Sequence, residues 1–154
     1  MLLGSNLSGP ALQLGLAKAY IAARIGSIMQ QSSIYKTAAW GKTDQPDFLN
    51  QVLVVQTILT PEKILEMIFE TEKKMGRVRT EKNAPRIIDI DILFYNNEII
   101  ETKHLSVPHP SLQYRRFVLV PLDELSPELI HPVSHKTIHE LLMECTDDLV
   151  VKRF

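Results

Sequence analysis

Near the middle of the chain stands the segment Arg77-Val-Arg-Thr-Glu-Lys-Asn-Ala-Pro-Arg-Ile-Ile-Asp-Ile-Asp-Ile-Leu-Phe-Tyr95, whose second half has the pattern of a β-strand. Side chains alternate along a strand, so the isoleucines point to one face and Asp89 and Asp91 to the other. The Cα atoms of the two aspartates would lie about 6.6 Å apart, at roughly 3.3 Å per residue. Because Asp is disfavoured in strands and the like charges repel, the pattern predicts a positive group between them.

Two interpretations of this segment are open from the residues alone. In one, Asp89 and Asp91 bind Mg²⁺, which usually takes one or two protein carboxylates and completes its shell with phosphate and water. The first half of the segment would then supply cations for the phosphate oxygens, namely Arg77, Arg79, Lys82 and Arg86. In the other, the segment is a strand with one solvated face and a basic loop paired to it, and the spacing of the aspartates alone does not decide.

Length and composition predict a single domain, residues 1–154, of an ordinary globular protein. The chain has 154 residues, of which 45% are hydrophobic and 23% charged. A net charge of −1 gives no overall attraction to nucleic acid or to a membrane surface. The only cysteine, Cys145, is expected to be a buried thiol, and the sequence has neither a signal peptide nor an apolar run near the roughly 18 residues of a membrane span. We therefore expect a cytoplasmic protein, and a monomer.

Helical periodicity marks the longer helices. Pro10 to Ile25 is predicted to be a helix because Pro suits the first turn and an apolar stripe follows at helical spacing, made of Leu12, Leu16, Ala19 and Ala23. A second helix is predicted to open at Thr60-Pro61, with Thr as N-cap, and to end at Gly76. A short third helix is predicted over Thr137 to Cys145.

The strand pattern completes the prediction of fold class. Strands are predicted at Met1–Leu3, Ile28–Thr37, Phe48–Leu59, Ile87–Tyr95, Glu98–Ile100, Phe117–Val120 and Asp148–Arg153. Up to Tyr95 the order is β-α-β-β-α-β, which is typical of an α+β protein with a ferredoxin-like core and two helices on one face of an antiparallel sheet. The remaining residues are expected to extend that sheet and to add C-terminal helices on its other face.

The residues also limit the chemistry. The sequence has no glycine-rich phosphate loop, no protein-kinase signature and no zinc-ligand spacing. Two carboxylates, a cationic loop and the later His109 and Arg115 suit metal-assisted phosphoryl transfer, which depends on positioning and charge neutralisation. On the predicted third strand Asn50 shares a face with Phe48, so this buried amide needs a partner in the adjacent loop or a ligand with amide-like edges.

The motifs taken together resemble one family. Gly4-Ser5-Asn6, Asp44 to Asn50, Gly76-Arg-Val-Arg79, Pro85-Arg-Ile-Ile-Asp-Ile-Asp91 and Val107-Pro-His109 stand in the order found in 6-hydroxymethyl-7,8-dihydropterin pyrophosphokinases. Those enzymes transfer diphosphate from ATP to a pterin alcohol in folate biosynthesis. The resemblance covers nearly the whole chain and implies a ferredoxin-like fold, with ATP as co-substrate and two Mg²⁺ ions.

The resemblance also implies roles for individual residues. Asp89 and Asp91 would hold the metal ions, and Arg77 and Arg86 would bind phosphate oxygens during transfer. Contacts with ATP fall on Glu72, Arg79, Lys82, Ile92, His104, Ser106, His109 and Arg115. The pterin would lie between Phe48 and Phe117, with its edge on Asn50 and the segment carrying Thr37, Ala38 and Trp40.

The sequence departs from the family pattern in the loop after Gly76. Asn83 stands where some members carry Trp, Lys82 stands where Arg occurs, and the loop is one residue shorter. Arg77 to Pro85 is nevertheless expected to act as a lid over the phosphates. The alternative to an enzyme is a ferredoxin-like module that binds a nucleotide without turnover.

Overall fold

A computed structural model describes residues 1–41, 44–78 and 84–154. The helices are α1 (Pro10–Arg24), α2 (Pro61–Lys74), α3 (Arg116–Leu125) and α4 (Ile138–Glu144), with a 3₁₀ turn at Leu112–Tyr114. The strands are β1 (Leu2–Ser5), β2 (Ser27–Gln31), β3 (Tyr35–Thr37), β4 (Phe48–Gln56), β5 (Asp89–Asp91), β6 (Ile100–Glu101), β7 (Ser106–Val107) and β8 (Lys152–Arg153).

The main sheet is antiparallel, with the order β5-β1-β4-β3-β8. Both β2 and β3 pair with β4, β3 along its first residues and β2 along its last. The predicted strand over Ile28–Thr37 is therefore interrupted. At the interruption the Ser32 side-chain oxygen accepts a hydrogen bond from the backbone N–H of Val52 at 3.0 Å, so the ladder continues through a side chain.

Apolar side chains cover both faces of this sheet, as the alternation of β1 shows. Leu3 packs with α1 and α2 in one buried cluster, whereas its neighbour Leu2 packs with α3 and α4 in a second. Val52 and Leu53 divide between the clusters in the same way. The chain is thus an α+β protein with helices on both faces, as expected from the sequence.

The helices predicted to begin at Thr60-Pro61 and at Thr137 are both confirmed, and both have capped N-termini. At the start of α2 the Thr60 hydroxyl accepts a hydrogen bond from the backbone N–H of Lys63, and beyond its end Gly76 has a φ of 86°, which favours glycine. At the start of α4 Thr137 and Glu140 form a reciprocal capping box.

The apolar stripe predicted for α1 is wrong, although the helix itself is confirmed. Its buried residues are Leu14, Ala17 and Ile21, whereas Leu12 is 64% exposed. Both sets have helical spacing, and the set with Leu14, Ala17 and Ile21 is the one that packs in the core. Helix rotation was therefore decided by tertiary packing, which periodicity alone does not settle in a helix with apolar residues on two sides.

The strand predicted at Phe117–Val120 is also wrong, because these residues lie in α3. Phe and Val favour strands, but Val118, Leu119 and Leu122 are buried together at helical spacing against the sheet. Pro121 stands inside this helix, where its lack of an N–H argues against a helix on local grounds. The change places Phe117 in the first turn of a helix.

The segment after Asp91 forms less strand than predicted. Only Asp89–Asp91 of the predicted Ile87–Tyr95 strand joins the sheet, through β1. The predicted return strand appears instead as β6 and pairs with β7 in a separate hairpin. Cys145 is half-buried rather than buried, and β8 is the expected edge strand. In the part of the chain that the structure describes, every helix is too short or too polar to cross a membrane.

Candidate active site

A cavity of about 520 Å³ opens where β5, β1 and β4 meet the ends of α2 and α3. Within the described ranges every residue singled out from the sequence lines it; these are Thr37, Ala38, Trp40, Phe48, Asn50, Glu72, Arg77, Arg86, Asp89, Asp91, Ile92, His104, Ser106, His109, Arg115 and Phe117. Arg79 and Lys82 lie outside the described residues, as does the centre of the predicted lid. The sheet therefore brings together residues that are up to 80 positions apart in the sequence.

Asp89 is held by two arginines. Its Oδ1 lies 2.5 Å from Nη1 of Arg77, and its Oδ2 lies 2.9 Å from Nη1 of Arg86. Arg77 also pairs with Glu72, which is 3% exposed and accepts a hydrogen bond from the backbone N–H of Ile90 at 3.0 Å. Glu72 thereby anchors both the arginine and the strand that carries the aspartates.

Asp91 has different surroundings. Its burial, followed by the Asp89 carboxylate, raises the pKa of Asp91 to about 7, although Arg115 and Arg86 oppose this shift. Between the two aspartates Ile90 is buried in the core. The backbone of β5 thus fixes both carboxylates on the cavity side, where Asp89 is paired with two arginines and the surroundings of Asp91 disfavour its ionised form.

These two carboxylates fit a Mg²⁺ site that is completed by a ligand. Carboxylate oxygens are the hard donors that Mg²⁺ prefers, and a cation would offset the repulsion from Asp89 that, after burial, raises the pKa of Asp91. Among the described residues no group of three or more His, Cys, Asp or Glu side chains could form a complete metal site. Phosphate and water oxygens would therefore supply the remaining ligands.

Arg86 and a further arginine, Arg115, present unsatisfied donors to the same space. Among the described atoms, the buried Nε groups of Arg86 and Arg115 have no hydrogen-bond partner. The Arg86 guanidinium lies 5.4 Å from the ring centre of Phe48, and that of Arg115 lies 4.9 Å from the ring centre of Trp40. Buried donors without acceptors are costly, so these side chains suit an anionic ligand.

His109 is oriented by its own backbone. It follows a cis peptide bond between Val107 and Pro108, and its N–H donates to the carbonyl of Leu93 at 3.0 Å. Its Nδ1 accepts a hydrogen bond from the backbone N–H of Ser111 at 3.2 Å. Burial and the nearby Arg115 lower the pKa of His109, so the neutral ring carries its proton on Nε2 and can donate it to the cavity.

One end of the cavity is flat, aromatic and polar at its edge. Phe48 and Asn50 stand two residues apart on β4, and the Asn50 amide donates to the Thr37 hydroxyl at 3.1 Å. Across from them Gly4 leaves room, because a Cβ at that position would lie 3.2 Å from the Asn50 side-chain oxygen. Phe117 reaches this end from the first turn of α3. The end suits a planar ligand with hydrogen-bonding edges.

The opposite end is formed by α2 and the hairpin of β6 and β7. His104 and Ser106 line it, and the Ser106 hydroxyl donates to a Glu101 carboxylate oxygen at 2.8 Å. Sequence reasoning missed other lining residues here, above all Leu65, Phe69 and Lys103. Leu65 and Phe69 precede Glu72 at helical spacing, and that pattern is the signal that could have found them.

Comparison of the sequence with models of protein families identifies the family of this chain. The model described as "7,8-dihydro-6-hydroxymethylpterin-pyrophosphokinase (HPPK)" matches residues 1–127. The chain belongs to this family. The resemblance inferred from the motifs is thereby confirmed.

Two relatives that share one name match most of this chain. The 2-amino-4-hydroxy-6-hydroxymethyldihydropteridine pyrophosphokinase of Haemophilus influenzae is 40% identical over 97% of this chain and 94% of its own length. The protein of that name from Synechocystis is 40% identical over 94% of this chain and 75% of its own length.

Solved structures agree in fold. A wild-type HPPK-DHPS of Plasmodium falciparum, solved with pteroate, superimposes with a TM-score of 0.74 at 20% identity. The match covers 93% of this chain and 41% of that one, so this chain spans about two fifths of the structures that it matches. At that identity the likeness concerns the fold alone.

Proposed function

We propose that this protein transfers diphosphate from ATP to the hydroxymethyl group of 6-hydroxymethyl-7,8-dihydropterin, giving AMP and the pterin diphosphate for folate biosynthesis. Family membership supports the reaction class, and the names of the relatives supply the substrate. The observation that carries the proposal is one continuous cavity in which two carboxylates and several arginines separate a flat aromatic end from an open second end.

The substrates are assigned to the cavity by its chemistry. The pterin lies between Phe48 and Phe117 at the aromatic end, where Asn50 and Thr37 can meet its amide edge. The triphosphate lies over β5, where Arg77, Arg86, Arg115 and His109 supply donors. The nucleoside then falls at the end formed by α2 and the β6–β7 hairpin, which also carries His104 and Ser106.

The transfer needs alignment and charge neutralisation. The hydroxymethyl oxygen attacks the β-phosphorus in line, the bond from that phosphorus to the oxygen bridging the α-phosphorus breaks, and AMP leaves with that oxygen. The hydroxyl proton has two routes, the Asp91 carboxylate and solvent. Arg77 and Arg86 must leave Asp89 in part to reach phosphate, so substrate binding rearranges these ion pairs.

Asp89 and Asp91 are the residues that would hold Mg²⁺ with ATP, and two ions are expected. When bound, Mg²⁺ neutralises charge on the phosphates and orients them. The protein would fix the position of the metal ion, since both carboxylates extend from one short strand whose middle residue, Ile90, is buried in the core.

We also infer that the core is ferredoxin-like and that residues 1–154 act as one domain. The strand order β5-β1-β4-β3, with α1 and α2 following the first and third of the core strands, supports this topology. A monomeric, cytoplasmic enzyme remains our expectation.

One assay separates an enzyme from a binding module. The protein is incubated with ATP, Mg²⁺ and the reduced pterin, and AMP is measured. AMP formed only when both substrates are present supports the proposal. Nucleotide binding without AMP would contradict it, and a parallel reaction with the metal chelated tests the dependence on Mg²⁺.

A further inference from the structure

Two buried side chains join the end of β1 to the segment that precedes β5. Beyond the last backbone pair of these strands, the Ser5 hydroxyl donates a hydrogen bond to the carbonyl of Ile87 at 2.5 Å. The backbone N–H of Asn6 donates to the carbonyl of Arg86 at 3.2 Å, and the side-chain oxygen of Asn6 accepts from the N–H of Arg86 at 2.8 Å. Both backbone polar groups of Arg86 are therefore bonded to Asn6.

The amide nitrogen of Asn6 holds a second segment. It donates to the side-chain oxygen of Gln45 at 3.1 Å and to the carbonyl of Pro46 at 3.0 Å. Asn6 is 3% exposed, and its amide uses one acceptor and two donors, which fixes its orientation. One side chain thus ties together two segments that lie 40 and 80 positions away in the sequence.

Both segments that Asn6 holds belong to the cavity. Gln45 and Arg86 line it, and the segment with Gln45 leads directly into β4, which begins at Phe48. The guanidinium of Arg86 lies 5.4 Å from the ring centre of Phe48, and its Nη1 lies 2.9 Å from Oδ2 of Asp89. Arg86 therefore stands between the aromatic end and the carboxylates of β5, while Asn6 lies outside the cavity lining.

We propose that Asn6 is a positioning residue for the transfer, which joins Arg86 to the segment before β4 and so sets the guanidinium relative to the pterin. This role rests on the proposed function, because it places the pterin against Phe48 and the phosphates over β5. A side chain that only stabilised the fold would need one partner segment, whereas Asn6 bridges two segments that both line the cavity. A misplacement of about 1 Å in such a site can cost about 10²-fold in rate.

A double-mutant cycle of Asn6→Ala and Arg86→Ala tests this role. The readout is the rate of AMP formation in a single turnover with enzyme in excess, so that product release does not limit it. In the wild-type background Asn6→Ala should slow this step about 10- to 100-fold. In the Arg86→Ala background the same substitution should slow it by no more than about twofold, because the group that Asn6 positions is gone.

Ser32→Ala is the matched control. Ser32 is equally buried, and its side-chain oxygen also continues a strand ladder, by accepting from the N–H of Val52 at 3.0 Å, but it does not line the cavity. Asn6→Ala and Ser32→Ala should each lower the midpoint of thermal unfolding by about 2–10 °C, and only Asn6→Ala should slow the transfer.

A second variant keeps the test decisive if Asn6→Ala does not fold. Asn6→Asp keeps the volume and the oxygen that accepts from Arg86, but loses both donors to the segment before β4. It then replaces Asn6→Ala in the cycle, and its rate should lie between that of the wild type and about one hundredth of it.

Equal slowing in the wild-type and Arg86→Ala backgrounds would overturn the inference, since the loss would then come from the fold rather than from Arg86. A wild-type rate in the Asn6 variant would overturn it as well. The wild-type reaction keeps the two proposals apart. If wild type forms AMP and the two substitutions act independently, only the role of Asn6 fails; if wild type forms no AMP, the proposed function and this role fail together.

Discussion

At the scale of single residues, the two aspartates of β5 are equivalent in sequence but not in surroundings. Asp89 is paired with Arg77 and Arg86, whereas burial and the charge of Asp89 raise the pKa of Asp91 to about 7. A carboxylate whose ionised form is destabilised in the ligand-free protein is typical of a functional site, where a bound ligand or metal ion stabilises it. The D-x-D spacing predicted which side both carboxylates occupy, but their difference depends on neighbours from distant parts of the chain.

Replacing Asp91 by Asn should remove most turnover without harming the fold. The amide keeps the shape and removes a buried charge, so the midpoint of thermal unfolding without ligands should stay level or rise. AMP formation should fall by at least about 10²–10³, the usual effect of losing one preorganised electrostatic contact. Asp148→Asn, at an exposed position, is the control. Near-normal turnover of Asp91→Asn would exclude Asp91 from the metal site.

Phe117 should contribute to pterin affinity and little to ATP affinity. In Phe117→Ala the dissociation constant for pterin should rise about two- to twelvefold, the range that aromatic stacking adds beyond burial. Titration calorimetry with each substrate measures both affinities. Tyr114→Ala removes an exposed ring nearby that does not line the cavity and should change neither. Unchanged pterin affinity together with broad destabilisation would make Phe117 an ordinary core residue.

At the scale of elements, local signals predicted some helices and failed for others. Thr60, Pro61 and Gly76 mark the ends of α2 because caps act within a few residues. The residues of α3 favour a strand locally, and burial of Val118 and Leu119 against the sheet overrides that preference. The family motifs named most lining residues of the site, but Phe69 could be recognised only once α2 was oriented toward the cavity.

The position of α3 depends in part on Glu124. This carboxylate accepts hydrogen bonds from the Ser33 backbone N–H at 2.9 Å, the Ser33 hydroxyl at 2.8 Å and the Tyr35 hydroxyl at 3.0 Å. Burial opposes ionisation, but the hydrogen bonds from Ser33 and Tyr35 outweigh it and lower the pKa of Glu124. Glu124 therefore ties α3 to the strand that begins at Tyr35.

A lowered pKa gives this tie a defined pH dependence. Its stabilisation is present above the unfolded pKa of about 4.3 and is lost as the pH falls through the lower folded value. Glu124→Gln should lower the free energy of unfolding at pH 7 by on the order of 1 kcal/mol, limited by solvent screening, and the difference should shrink as the pH falls through the folded pKa of Glu124. Urea unfolding over a series of falling pH values measures this. Glu128→Gln, which alters an exposed carboxylate, should show no such dependence.

At the scale of the whole molecule, the cavity is built by both faces of the sheet. Glu72 comes from a helix on one face and Phe117 from a helix on the other, while β5 and β4 supply the floor. A ligand that fills the cavity therefore contacts elements packed in both apolar clusters. Binding should stabilise the molecule as one unit.

The midpoint of thermal unfolding measures how a bound nucleotide and its metal ion stabilise the protein. With Mg²⁺ and α,β-methylene-ATP at about 100 times its dissociation constant, the midpoint should rise by about 5–10 °C. Chelating the metal should abolish most of that rise, because Asp89 and Asp91 would again face the phosphates without a cation between them. Mg²⁺ alone should give only a small shift. An equal rise with and without chelator would show that nucleotide binding does not depend on a metal ion held by Asp89 and Asp91.

The short strand β1 tolerates few amino-acid substitutions. Leu2 and Leu3 are each buried in a different cluster, and the next position, Gly4, lies against an Asn50 side chain that is already tied to Thr37. Even a methyl group at Gly4 would press on that amide. Substitutions at Gly4 or Asn50 that weaken binding of an inhibitor at the aromatic end would therefore also weaken substrate binding. Resistance substitutions should arise instead at the edge of the cavity, where Trp40 is partly exposed.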